Sequence, residues 1–174
     1  GVQLGGNDKA FGKPEPLTAD EIEDLIVRFI HVSETAKETG FTGVQVHSAH
    51  GYLSSNFLSP VVNHRTDQWG GSLENRARFL LNSVRGVREA CGPDFAISVK
   101  LNSTDFQKNG FTLDECQQVV SWLGEAGVDL LEISGGTYEQ PAMVGQQGNA
   151  KTWADPIKHS TREREAYFVE YAKA

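Results

Sequence analysis

Three short segments rich in β-branched residues, Gly43 to His47, Phe95 to Leu101 and Val128 to Ser134, alternate with longer stretches of helical periodicity. That alternation limits the fold more than any other feature, because a strand followed by a crossover helix and another strand builds a parallel sheet. The first helical stretch opens on Thr18-x-x-Glu21, the pattern of a capping box. It continues with Ile22, Leu25, Ile26, Phe29 and Ile30 at three- and four-residue spacing and stops at Gly40. A second starts near Ser72, aligns Leu73, Ala77, Leu80, Leu81, Val84 and Val87, and ends before Gly92-Pro93. A third opens on Thr112-x-x-Glu115 and runs to Gly127, and a fourth begins at Ser160 and extends through Tyr171.

The faces of the strands discriminate between architectures. With period two, Val44 and Val46 oppose Gln45 and His47. Likewise Ile97, Val99 and Leu101 oppose Ala96, Ser98 and Lys100, and Leu131 and Ile133 oppose Leu130, Glu132 and Ser134. A sheet covered by helices on both sides needs nearly continuous apolar strands. Strands with one apolar and one mixed face fit a barrel with helices outside, whose active site lies at the C-terminal strand ends. His47, Lys100 and Ser134 point to that end. The expected class is therefore α/β, a partial (β/α)8 TIM barrel. A complete barrel takes about 250 residues, so this chain is expected to supply roughly strands four to six.

Composition excludes several function classes. A net charge of −7 argues against a nucleic-acid partner, which requires a basic surface. No run reaches the length of a membrane span and no signal peptide opens the chain, so a cytoplasmic location is expected. Cys91 and Cys116 are too few for a disulfide framework, and Cys91, at a helix end, reads as an inert thiol. The chain begins at Gly1 and has one methionine, Met143, consistent with a processed or truncated product.

The segment His47-Ser48-Ala49-His50-Gly51-Tyr52 carries the chemistry. Two imidazoles able to donate to a developing oxyanion, and a phenol able to deliver a proton, fall within six residues at a strand end. Lys100 brings a cation to the same lumen. His-x-x-His by itself is compatible with packed structural histidines or with a metal site, although no third ligand stands nearby in sequence.

The stretch Phe41-Thr-Gly-Val-Gln-Val-His47-Ser-Ala-His50-Gly-Tyr52-Leu, with Phe57-Leu-Ser-Pro60, resembles the fourth strand and loop of Old Yellow Enzyme-type NADH:flavin oxidoreductases. Asn63-His-Arg65-Thr-Asp67-Gln-Trp69-Gly-Gly-Ser72-Leu-Glu74-Asn75-Arg76 is similar to the hallmark segment of that family. Ser98-Val-Lys100-Leu-Asn102-Ser, Glu132-Ile-Ser-Gly-Gly-Thr-Tyr138 and Arg164-Glu-Ala-Tyr-Phe168 resemble a branch common in fungi. The resemblance extends from about Phe11 onward and implies that residues 1–174 are the central portion of one FMN-dependent barrel domain, incomplete at both ends.

It further implies specific roles. His47 and His50 match the pair that holds the carbonyl or nitro oxygen of the substrate, and Tyr52 matches the residue that protonates its α-carbon. Lys100 matches a cationic position, usually arginine, facing the N1/C2=O side of the flavin. The implied reaction takes hydride from NADH or NADPH through FMN to an activated alkene, an α,β-unsaturated carbonyl or nitro compound. Arg65, Asp67, Glu74, Asn75 and Arg76 are expected to be scaffolding, and Gly135-Gly136 to be a simple loop. Gln3 fits a linker, and Thr137 to His159 forms a long connection. Strands absent on both sides imply weak or no FMN binding by these residues alone. Two other readings remain open, a non-catalytic barrel fragment that serves only in interactions, and a metal-dependent barrel hydrolase using His47 and His50.

Overall fold

The computed structural model describes residues 15–137 and 169–173. Helix α1 spans Ala19–Glu38, strand β1 Gly43–Ser48, helix α2 Leu53–Leu58 and helix α3 Leu73–Cys91. Strand β2 spans Ala96–Asn102, helix α4 Leu113–Glu125, strand β3 Leu130–Ser134 and helix α5 Val169–Ala172.

The helix starts follow from side-chain chemistry. Thr18 Oγ1 accepts from the Glu21 amide at 3.2 Å while the Glu21 carboxylate accepts from the Thr18 amide at 2.7 Å, closing the box that begins α1. Thr112 and Glu115 repeat this at α4, and Ser72 caps α3. Helix α2 is a departure from the sequence expectation. Its six residues, Leu53–Leu58, carry no capping side chain and too short a pattern to register as periodic. Of the fourth expected helix, only residues 169–173 are among those described, and the long connection from 138 to 159 and Gln3 lie outside them.

The strands form one parallel sheet in the order β1-β2-β3. Each strand adds beside its predecessor, the progression of a barrel wall; a doubly wound sheet would reverse direction at its middle. Val46, Ile97, Val99 and Leu101 face the helices and pack with Leu80, Val84 and Val87 of α3 and Val119 and Leu123 of α4, all buried. A second cluster joins α1 to α3, where Phe79 stacks on Phe57 at 4.7 Å and meets Phe29 edge-on at 5.7 Å. The other sheet face carries Gln45, His47, Ser98, Lys100 and Glu132, none of them buried. Apolar burial on one face fixes strand register, since a one-residue slip would turn every core side chain outward.

Candidate active site

Strand register places the polar face. His47 pairs with Lys100, and Lys100 pairs in turn with Glu132, so one row crosses all three strands. Lys100 Nζ lies 2.8 Å from Glu132 Oε1. Gln45 Nε2 donates to Ser98 Oγ and to Glu132 Oε2, each at 2.9 Å.

Beyond β1 the chain turns sharply. His50 and Gly51 both take left-handed backbone angles, φ 62° and 79°. Glycine does so at no cost, whereas a histidine there must be held by its neighbours. His50 is held three ways. Its amide donates to Asn102 Oδ1 at 3.1 Å, its Nε2 lies 2.6 Å from Ser134 Oγ, and its backbone bridges to Thr137. The turn sets the His47 and His50 rings 5.3 Å apart, edge to face, and the Tyr52 ring 4.9 Å from His47. Tyr52, at the start of α2, remains about half exposed. His47, His50, Tyr52 and Lys100 thus converge at the C-terminal end of the sheet.

Electrostatics differ between the imidazoles. Burial, reinforced by the positive charge of Lys100 and by His47, pulls His50 down from its ordinary 6.5 to about 4. Burial and then Lys100 also lower His47, with Glu132 opposing. Both are therefore neutral at physiological pH, each with one ring N–H to donate. The Glu132 carboxyl is held below its usual range by hydrogen bonds from Lys100 and then Gln45.

Side chains of the segment from Asn63 to Arg76 are tied into the surrounding backbone. Asn63 Nδ2 ties the carbonyls of Phe57 and Trp69, each at 2.8 Å, and Arg65 pairs with Asp67. Asn75 Nδ2 donates to the carbonyl of Gly70 at 3.1 Å. Buried Arg76 bonds the carbonyls of Leu58 and Gly71 and pairs with Glu115, whose other oxygen caps α4. Gly70 is required there, since a Cβ would sit 2.4 Å from the carbonyl oxygen of Arg65. In the Gly135-Gly136 loop, the Gly136 carbonyl accepts from Asn102 Nδ2 at 2.9 Å. Cys91 and Cys116 are buried, and burial pushes the Cys116 thiol up to about 12.

Glu132 and Asn102 escape sequence reasoning, while Ser134, placed with His47 and Lys100 at the functional strand end, is given no partner there. An acid sharing the lumen-facing parity of Leu130 and Ser134 was the available signal for Glu132. Among the described residues no group of three His, Cys, Asp or Glu side chains is placed to hold a metal ion, so His47 and His50 lack a third ligand there. Among the same residues no helix is long and apolar enough to cross a membrane.

Residues 4–173 match the family described as NADH:flavin oxidoreductase / NADH oxidase. An NADH-dependent flavin oxidoreductase of Hypocrea jecorina is 40% identical over 94% of this chain and 39% of its own length. An NADPH dehydrogenase of Bacillus pumilus is 38% identical over 87% of this chain and 44% of its length. A structure of morphinone reductase in complex with tetrahydroNAD superposes with a TM-score of 0.58 at 36% identity, covering 69% of this chain and 34% of that one. The chain spans less than half the length of these relatives. Sheet order, polar lumen face and family match agree: the chain is part of an α/β TIM barrel and belongs to the NADH:flavin oxidoreductase / NADH oxidase family.

Proposed function

We propose that these residues are the central portion of a single FMN-dependent barrel domain, in a protein that uses NADH or NADPH to reduce activated alkenes. The family takes FMN, with NAD(P)H as donor. The residues present fit a flavin: Lys100 offers an ammonium on the open sheet face, a donor suited to the carbonyl- and nitrogen-rich pyrimidine edge. When bound, FMN would supply the redox chemistry that no side chain can, passing hydride from nicotinamide to an electron-poor carbon.

This chain's own residues bind, orient and protonate. His47 and His50, neutral and at different angles, can each donate a hydrogen bond to one carbonyl or nitro oxygen, drawing electron density toward it. Tyr52, beside His47 and open to solvent, is the acid that protonates the carbon next to the polarised group. Lys100 holds positive charge one strand away from His47. The observation that carries this reading is the convergence of two pKa-lowered imidazoles and a phenol on the open face of a parallel sheet, at the strand ends where barrels place their chemistry.

The test uses the full-length polypeptide containing this segment. Purified protein should show flavin absorbance, bleach with NADH or NADPH, and recover its colour on anaerobic addition of cyclohexenone or a nitroalkene. Tyr52→Phe should slow the recovery without changing the bleaching. A full-length protein that carries no flavin and cannot be reconstituted with FMN would overturn the reading.

A further inference from the structure

Glu132 plays no part in that chemistry, yet it stands on the open face, on strand β3 beside Lys100 of β2. Its two oxygens are shared between two strands, Oε1 with Lys100 Nζ at 2.8 Å and Oε2 with Gln45 Nε2 at 2.9 Å. Gln45 is itself anchored on Ser98 Oγ, so the carboxylate closes a chain of contacts from β1 through β2 to β3. The Glu132 side chain is 46% exposed and that of Lys100 24%. An ion pair this open contributes little to folding stability, which leaves its arrangement unexplained as a structural device.

Charge chemistry supplies an explanation. An ammonium beside the pyrimidine edge of a flavin favours the reduced, anionic ring over the oxidised, neutral one. A carboxylate in contact with that ammonium cancels part of its charge and also fixes its location. We propose that Glu132 is a positioning residue for Lys100, setting both where the ammonium sits and how much net positive charge it presents to the flavin. The inference rests on the flavin reading above. It predicts that this acid tunes the preference for reduced over oxidised cofactor without touching the substrate.

The test is a redox titration of the FMN-loaded, full-length protein. Glu132→Gln keeps the shape of the side chain and its contact with Gln45 while removing the charge. The variant should hold reduced FMN relative to oxidised FMN about tenfold more tightly, seen as a rise of ~30 mV in the two-electron midpoint potential. Lys100→Met should lower the potential. In the Lys100→Met background the Glu132→Gln change should lose most of its effect, because a released, half-exposed carboxylate turns to water. An unchanged potential in Glu132→Gln overturns the proposal, as does an equal rise with and without Lys100. Wild-type protein that binds no FMN would instead remove the flavin reading itself, so the two failures are separable.

Discussion

His50 and Ser134, 84 residues apart in the chain, meet through a 2.6 Å contact between Nε2 and Oγ. Both residues are buried. Neutral His50 engages Ser134 through Nε2, which ties down the orientation of the imidazole. The serine thereby fixes the ring that the proposed chemistry needs.

Ser134→Ala should leave the fold intact and loosen that ring. Affinity for an oxyanion probe such as 4-nitrophenolate, titrated onto the FMN-loaded full-length protein, should fall by about 1 kcal/mol, the net value of one hydrogen bond. Unchanged affinity would show that Ser134 does not orient His50.

The depressed pKa of His50 carries a pH dependence. The unfolded imidazole takes up its proton near the ordinary 6.5, the folded one only near 4. Between those values the unfolded chain binds more protons, so stability is fully present above the upper value and is lost as pH falls through the window. Denaturant unfolding should show wild type losing ~1–2 kcal/mol more than His50→Gln between about pH 7 and about pH 5. Parallel losses in the two proteins would contradict the assignment.

Asn102 joins three loops, accepting from the His50 amide and donating to the Gly136 carbonyl and to Asp105 Oδ1. Asn102→Asp keeps the acceptor, deletes both donated bonds and brings a carboxylate against Asp105. It should destabilise the protein by about 1–3 kcal/mol, and more than Asn102→Ala does. Equilibrium unfolding of the two variants decides the order.

Arg76 is buried and engages Leu58, Gly71 and Glu115 together. Removing one member of a buried pair leaves the other desolvated, so Arg76→Met should cost ~3 kcal/mol. Glu115→Gln, which retains a capping group for α4, should cost less. Chemical denaturation curves with a common slope would measure both.

Much of the architecture was legible locally. Thr18, Glu21, Thr112 and Glu115 announce helix starts because capping depends on residues three positions apart, and both boxes form as expected. Alternation along 43–47 and 95–101 separates core from lumen because successive side chains on a regular strand point to opposite faces. The third strand begins at Leu130, two residues beyond the expected Val128. There Asp129 turns its carboxylate back onto the Ile97 amide, a bond whose partner lies 32 residues away.

The His47, His50 and Tyr52 cluster was visible in the sequence because one strand and its turn supply all three. Sequence alone therefore determined the residue types, their faces and the end of the sheet where they gather. Tertiary structure decided their company: Lys100 beside His47, Glu132 on Lys100, Ser134 on His50, and Asn102 beneath the turn. Those partnerships depend on register between strands and on the path of the loops. Both are set by burial of Val46, Val99 and Leu101 against α3 and α4, a long-range packing that no local window contains.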